Sequence, residues 1–186
     1  MSWGVIGCCA SFAVGLVQER ARGTYARLRM APNPAWTILA GKAIACFTAC
    51  FGSSLLLVVF GMIFGVRVGS WLALFAALAS LSFGFTGFMM LISTLGRTEQ
   101  AVSGAGWAAM MPLAMIGGSM VPQMVMPAWL LKISNFSPIK WLILAVEGAL
   151  WREFSAADML LPCAILLGVG LVCFTVGAVV ISRRSW

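Results

Sequence analysis

The chain has 186 residues, of which 62% are hydrophobic and 9% are charged, and its mean hydropathy is +1.02. A soluble domain carries about a quarter charged residues, so this composition excludes an ordinary water-soluble fold and indicates a membrane protein. The net charge of +7 comes without a basic stripe interleaved with aromatic residues, so no nucleic acid is expected as a partner.

Five long uncharged runs organise the chain. A helix needs about 20 apolar residues to cross a bilayer, and lipid requires each backbone N–H and C=O to be paired within its segment, which favours helices over strands. We therefore predict an all-α fold, a polytopic transmembrane helical bundle with about five spans, in a single domain over residues 1–186. The predicted spans are 2–17, 36–66, 70–95, 100–118 and 159–182.

A charged segment, 18–34, separates the first two predicted spans. Five of the chain's seventeen charged residues fall within eleven positions of it: Glu19, Arg20, Arg22, Arg27 and Arg29. Ala21, Tyr25 and Leu28 recur at helical spacing, which predicts a short helix lying at the membrane surface. Two interpretations are open: the positive charge only sets the topology, or the segment is a docking handle for a cytoplasmic protein.

Lys and Arg residues are distributed unequally between the two sides of the predicted bundle. One side carries Arg20, Arg22, Arg27, Arg29, Arg97, Arg183 and Arg184, and the other carries Arg67, Lys132, Lys140 and Arg152. Cytoplasmic loops carry the excess of Lys and Arg, so we expect the N-terminus outside and the C-terminus in the cytoplasm. The chain is then a multi-pass protein of the cell membrane, which in a bacterium is the cytoplasmic membrane.

Small residues recur at four-residue spacing along the spans. They are Gly7, Ser11 and Gly15; Gly41, Ala45, Ala49 and Ser53; Gly61 and Gly65; and Ser80 and Gly84. Such ridges let helix backbones approach each other closely, so we expect these faces to pack against other helices. Trp107, inside the fourth predicted span, faces either a neighbouring helix or a pathway.

The segment 119–158 is too interrupted by proline and polar residues for one span, and too apolar for a free loop. This pattern predicts a re-entrant helical hairpin in the outer leaflet, with Ser137-Pro138 starting its second helix. Glu147 lies on that helix. It either lines a polar pathway or pairs with Lys140 or Arg152, because an acid near membrane depth is costly without a partner or water.

The sequence does not favour catalysis or metal binding. It has no histidine and no Cys-x-x-Cys, so we predict no metal site, no disulfide framework and no cofactor. A membrane-embedded enzyme would need Glu147, Glu153 and Asp158, which lack metal-ligand spacing, so no catalytic residues are expected. The phosphate loop of nucleotide hydrolases is also absent.

Two segments resemble those of type-2 ATP-binding-cassette (ABC) permeases. Glu19, Gly23-Thr24, Arg27-Leu28, Pro32 and Gly41-Lys42 resemble the cytoplasmic coupling segment of that family. Gly117-Gly118, Pro122, Pro127-Ala128-Trp129-Leu130, Ser134, Ser137-Pro138 and Trp141 are similar to its outer-leaflet hairpin. The order of these motifs relative to the spans carries the resemblance.

The resemblance implies a permease subunit of an ABC exporter, which forms the translocation pathway with a second copy or a homologous permease. A separate cytoplasmic ABC ATPase would supply the energy. It would contact Glu19, Arg20, Gly23, Thr24, Arg27 and Leu28, while Pro138, Trp141 and Glu147 would belong to the outer hairpin or the pathway.

The chain departs from the family pattern in one respect. The family usually has six spans, and this chain begins at what would be the second. The first span is then missing through an internal start, or a companion chain supplies it. The alternatives to a working permease are an inactive fragment of one and a membrane anchor or assembly factor that does not transport.

Overall fold

The computed structural model describes residues 2–21, 35–96, 98–121, 125–151 and 154–183, apart from the side chains of 20, 21, 35, 36, 156, 182 and 183. These residues form seven helices and no strand, so the predicted all-α bundle is confirmed. The helices are α1 (Ser2–Ala21), α2 (Ala35–Ile63), α3 (Trp71–Ile92), α4 (Glu99–Gly117), α5 (Ala128–Ser134), α6 (Pro138–Leu150) and α7 (Ala156–Arg183).

Four of these helices are long and apolar enough to cross a membrane, judged over the described residues. The spanning windows are Ser2–Glu19, Thr37–Ile63, Trp71–Ile92 and Ala157–Ile181. Helix α4 covers the fourth predicted span and has 19 residues, but it is not one of the four. Glu99, Gln100 and several glycines lower its hydropathy, so its crossing of the membrane stays a prediction.

Helix α3 occupies the centre of the bundle and packs most extensively against α7. Glycines make this contact very close. A Cβ atom added at Gly87 would lie 2.1 Å from the carbonyl oxygen of Gly170, and one added at Gly170 would lie 2.7 Å from the Cα atom of Gly84. The two backbones therefore touch directly, which is how small residues stabilise helix pairs in lipid.

Helices α1 and α4 run antiparallel beside α3. At one end of the pair, the hydroxyl groups of Ser2 and Ser119 lie 2.5 Å apart, and at the other end Gln18 contacts Glu99. Helix α1 also packs against α2 and α3. The end of α1 therefore lies beside the first turn of α4, through Gln18 and Glu99, and beside the N-terminal part of α2, through Glu19 and Lys42.

Two short helices, α5 and α6, lie in the segment for which the sequence predicts the outer hairpin. Helix α6 begins at Pro138, as predicted, because proline suits the first helical position. The Ser137 hydroxyl donates to the carbonyl oxygen of Leu113 near the end of α4, at 2.7 Å. At the other end of α6, the Ala149 carbonyl accepts from the N–H of Ser70 just before α3, at 3.4 Å. Helix α6 thus runs across the end of the bundle, from α4 to α3.

Candidate functional site

Charged side chains join the helices at the end of α1. Glu19 lies in the last turn of α1. Its Oε1 atom accepts a hydrogen bond from Nζ of Lys42 in α2, and the two side chains form an ion pair. The two side chains are 34% and 27% exposed, respectively, so water screens the pair only in part. A charge inside a largely apolar helix needs such a partner. The ion pair therefore joins α1, which precedes the segment 22–34 in the chain, to α2, which follows it.

The same end of α1 is also joined to α4. The Gln18 side chain donates through Nε2 to Oε2 of Glu99, at 2.8 Å. Glu19 retains one carboxylate oxygen, Oε2, that is buried without a hydrogen-bond partner among the described residues. A buried acceptor without a partner is costly, so this oxygen is suited to receive a donor from another group. We name Gln18, Glu19, Lys42 and Glu99 the charged end.

Only part of the predicted ATPase-contact set falls within this description. Glu19 lies at the charged end, and Arg20 is in the last turn of α1 by its backbone. Gly23, Thr24, Arg27 and Leu28 lie outside the described residues. The sequence analysis gave no role to Gln18 and Glu99, and it named Lys42 only within the Gly41-Lys42 part of the resemblance to the coupling segment. The available signal was an isolated charge in the first turns of an apolar helix, which implies a partner elsewhere in the chain.

The three residues predicted for the outer hairpin or the pathway all lie on α6, but they have different surroundings. Pro138 is buried at the start of the helix. The indole N–H of Trp141 donates to the carbonyl oxygen of Asn135, at 2.9 Å, so this residue fastens the turn before α6. Lys140 donates to the side-chain oxygen of Asn135, at 2.8 Å. Glu147 lies farther along α6, at a cavity.

This cavity, which we name the outer cavity, has a volume of about 290 Å³ and lies at the end of the bundle opposite the charged end. Its lining comes from the start of α1, the end of α2, the loop between α2 and α3, and helix α6 with the residue that follows it. The lining residues are Ser2, Leu57, Val58, Gly61, Val66, Leu142, Ile143, Val146, Glu147, Leu150 and Trp151. Among these described residues, Glu147 provides the one ionisable side chain.

A second space follows the length of α1, and we name it the α1–α4 groove. It has a volume of about 410 Å³ and is lined by Gly7, Ala10, Ser11, Val14, Gly15, Gln18, Ser103 and Trp107. Trp107 stacks on Trp3 with ring centroids 6.4 Å apart, and its side chain is 41% exposed. Trp107 therefore contacts a neighbouring helix and also lines a groove. The expectation that the small residues of α1 pack against another helix is wrong for Gly7 and Gly15 within the described chain, because open space lies beside both.

Among the described residues, no group of three or more His, Cys, Asp and Glu side chains could hold a metal ion. The six cysteines are free thiols. The arrangement that remains is a charged end, a groove of small and polar residues, and an apolar cavity with one carboxylate.

Comparison with known proteins gives one family. Residues 1–179 match the family model described as ABC-2 family transporter protein. Two curated relatives are each named "Probable multidrug ABC transporter permease YbhR", one from Escherichia coli strain K12 and one from Escherichia coli O157:H7. Each is 29% identical to this chain over 137 residues.

These alignments cover 73% of this chain but 37% of each relative, so the chain spans well under half the length of the curated relatives that it matches. No solved structure matches the chain.

Proposed function

Because this chain belongs to the ABC-2 transporter family, we propose that it is the membrane permease subunit of an ABC exporter, coupled to a separate cytoplasmic ATPase. The family match over residues 1–179 and the all-helical membrane bundle support this proposal. The chain does not hydrolyse ATP itself under this proposal. A second copy of the chain, or a homologous permease, completes the pathway.

The single observation that favours coupling is the charged end. There, Lys42 of α2 holds Glu19, and Gln18 holds Glu99 of α4, so the ends of three helices are linked where the segment 22–34 leaves α1. A force applied to that segment would reach all three helices together. We propose that the ATPase contacts Glu19, Arg20, Gly23, Thr24, Arg27 and Leu28. The buried free oxygen of Glu19 then accepts a donor from the segment or from the ATPase.

This proposal sets the orientation in the membrane. The charged end faces the cytoplasm, since the Arg-rich segment follows it and cytoplasmic loops carry the Lys and Arg excess. The start of α1 then lies outside, and the end of α7 is cytoplasmic. Helix α6 and the outer cavity lie at the outer face of the membrane.

We propose the α1–α4 groove as this subunit's share of the pathway. Hydroxyl and amide groups of Ser11, Gln18 and Ser103 lie in it beside Gly7 and Trp107. Polar groups that line a cavity at membrane depth are typical of transport pathways. Pro138 and Trp141 hold the start of α6 in place, and Glu147 belongs to the outer part of the pathway.

The test replaces Gly23 and Thr24 together by Trp in the tagged permease, expressed in its native membrane. Bulky side chains at a docking contact remove shape complementarity, so we expect the co-purified ATPase to be lost while membrane insertion is unchanged. The measurements are mass spectrometry of the purified complex, its ATP hydrolysis and ATP-dependent transport in vesicles.

Gly52→Trp is the control, because a Cβ atom at Gly52 of α2 meets open space and the residue lies far from segment 22–34 in the chain. This variant should keep the ATPase. Full ATP-dependent transport by the Gly23 and Thr24 variant would contradict the docking assignment. A stably inserted wild-type chain that brings down no ATPase would favour the membrane anchor instead.

A further inference from the structure

Helix α5 and the turn after it present large apolar side chains at one end of the bundle. Trp129 and Ile133 are one helical turn apart in α5, and Phe136 follows them in the turn. They are 63%, 45% and 89% exposed, respectively, and we name them the α5 ridge. The described part of the chain leaves this ridge uncovered, and an exposed apolar patch of this kind marks a contact with a partner or with lipid.

The α5 ridge lies at the level where the membrane ends. Helix α5 packs against α4, and the end of α4 meets the start of α1 through the hydroxyl groups of Ser119 and Ser2. Ser2 is the first residue of the spanning window of α1. Trp71, which begins α3, and Trp151, which follows α6, are exposed at the same end. Indole rings prefer the boundary between lipid and water, so this end of the bundle lies among lipid headgroups.

The charge around the ridge is of one sign. Residues 100–146 contain no Asp or Glu, and their charged side chains are Lys132 of α5 and Lys140 of α6. Lys132 is exposed and Lys140 is half-buried. No carboxylate of the described residues lies within ion-pair distance of either ammonium group. The two lysines therefore favour an anionic group that approaches from outside.

Asn135 and Lys140 form a pair of donors that the turn holds in place. The Lys140 ammonium donates to Oδ1 of Asn135, at 2.8 Å, and the indole N–H of Trp141 donates to the Asn135 carbonyl oxygen, at 2.9 Å. The Ser137 hydroxyl ties the same turn to α4. The first of these bonds uses the oxygen of the Asn135 amide and one ammonium proton. The amide N–H groups and the other ammonium protons remain as donors, which suits the several acceptor oxygens of a phosphate.

We propose that the α5 ridge and its two lysines form a docking surface for an anionic phospholipid. The lipid phosphate lies against the Asn135 amide and the Lys140 ammonium, and Lys132 supplies a second positive charge. The acyl chains lie against Ile133 and Phe136. This inference goes beyond the permease assignment, because the surface requires neither transport nor an ATPase.

Other occupants fit this surface less well. A zwitterionic lipid also has a phosphate, but its own ammonium group offsets the attraction of the lysines. A soluble phosphate would pair with the lysines and leave the apolar ridge uncovered. A second copy of the chain, placed ridge to ridge about a two-fold axis, would bring Lys132 and Lys140 against the same lysines without an acid nearby, which is unfavourable.

The experiment titrates the purified membrane complex in dodecyl maltoside with phosphatidylglycerol or with phosphatidylcholine of the same acyl chains. Native mass spectrometry counts the bound lipids and gives the affinity for each. A lysine near the membrane surface contributes about fivefold to the binding of an anionic lipid. Lys132→Gln combined with Lys140→Gln should therefore weaken phosphatidylglycerol binding about twentyfold and leave phosphatidylcholine binding nearly unchanged.

Three further variants separate the proposed site from a general effect of charge. Arg67→Gln removes the same charge from an exposed position in the loop between α2 and α3, at the same end of the bundle, and should bind phosphatidylglycerol like the wild type. Lys140→Arg keeps the charge and should retain binding. Asn135→Asp places a carboxylate beside the Lys140 ammonium, so it should weaken binding about as much as Lys140→Gln although both lysines remain. This variant also replaces the double lysine variant if the latter does not assemble.

Two controls identify the occupant. Inorganic phosphate in excess should not displace phosphatidylglycerol, because it lacks the apolar contacts, and displacement would assign the lysines to a soluble anion instead. Phe136→Ser should weaken the binding of both lipids alike. A variant that separates into smaller oligomers in the same spectra, with unchanged lipid affinity, would assign the ridge to a contact between subunits and overturn the inference.

Equal phosphatidylglycerol affinity of the wild type and the double lysine variant, or unchanged affinity in Asn135→Asp, also overturns the inference. The same spectra record whether an ATPase accompanies the chain. Lysine-dependent lipid binding without an ATPase defeats only the permease assignment, whereas a bound ATPase with no preference for phosphatidylglycerol defeats only the lipid site.

Discussion

Glycines in α3 and α7 differ from glycines in α1, although all of them lie in apolar helices long enough to span a membrane. At Gly87 and Gly170, an added Cβ atom would lie within 3 Å of the opposite backbone. At Gly7 and Gly15, an added Cβ atom would have no neighbour within 4 Å. Gly87 and Gly170 therefore lie in a close contact between α3 and α7, whereas Gly7 and Gly15 line an open groove.

The difference shows what a small residue does in a membrane helix. Lipid provides no hydrophobic drive for helices to associate, so close backbone packing must supply the attraction. Helices α3 and α7 use Gly84, Gly87 and Gly170 in this way. Helix α1 packs one apolar face, with Val5, Cys9 and Ala13, into the core along its length, and polar contacts join its two ends to neighbouring helices. Among the described residues, the face of α1 with Gly7 and Gly15 meets open space.

The largest loss of stability is expected from a substitution in the close contact between α3 and α7. Gly87→Leu places a side chain where the carbonyl oxygen of Gly170 lies 2.1 Å from the Cβ position. The two backbones must separate, and we expect the free energy of unfolding to fall by about 3 kcal/mol. Titration of dodecyl sulfate into dodecyl maltoside micelles, followed by tryptophan fluorescence, measures this change.

Gly168→Leu is the matched control on α7, because a Cβ atom there meets open space. It should unfold at nearly the wild-type dodecyl sulfate fraction. Equal stability of Gly87→Leu and Gly168→Leu would show that the close α3–α7 contact is not what holds the bundle.

An intermediate effect is expected at the charged end, where α1 is tied to α2. Lys42→Met removes the donor to Glu19 and leaves that carboxylate partly buried with fewer partners. We expect a loss of about 1–2 kcal/mol in the free energy of unfolding, and weaker retention of the ATPase on purification. The same dodecyl sulfate titration and the yield of co-purified ATPase give the two readouts.

A double-mutant cycle with Glu19→Gln tests whether the two residues act as a pair. Once Glu19 is neutral, Lys42→Met should cost much less. Additive losses would mean that the ion pair does not hold α1.

The smallest stability effect is expected in the open groove. Gly7→Leu extends into empty space, so the free energy of unfolding should change by less than about 1 kcal/mol. Transport should nevertheless fall, because the new side chain fills the groove beside Ser11 and Trp107. ATP-dependent export from vesicles, compared with Gly7→Ala, measures the dependence on side-chain size. Unchanged transport would place the pathway elsewhere.

Sequence periodicity identified the helices well and their partners poorly. The apolar runs gave the all-α class, and Ser137-Pro138 gave the start of α6, because these depend on local chemistry. Ser80 and Gly84 are buried on α3, and Gly84 faces α7, as four-residue spacing suggested. The same spacing in α1 faces a groove, since spacing defines a face but not what covers it.

Contacts distant in the chain also escaped the sequence analysis. Gln18 and Glu99 are 81 residues apart, and Glu19 and Lys42 are 23 apart, so no local pattern joins them. The outer cavity depends on how α6 crosses the bundle, which requires the positions of α1, α2 and α6 together. The sequence left two alternatives for Glu147, a place in a polar pathway or a pair with Lys140 or Arg152, and did not predict the cavity that it borders.

Helix α6 also bridges α3 and α4 at a fixed distance. Its 13 residues make a rod of about 20 Å. One end is fastened to α4 through Ser137, and the other to the start of α3 through Ala149. A helix does not stretch, so the start of α3 and the end of α4 cannot simply be pulled apart while both hydrogen bonds persist. Separating the ends of α3 and α4 that α6 joins would require α6 to release its hydrogen bond at Ser137 or the one at Ala149.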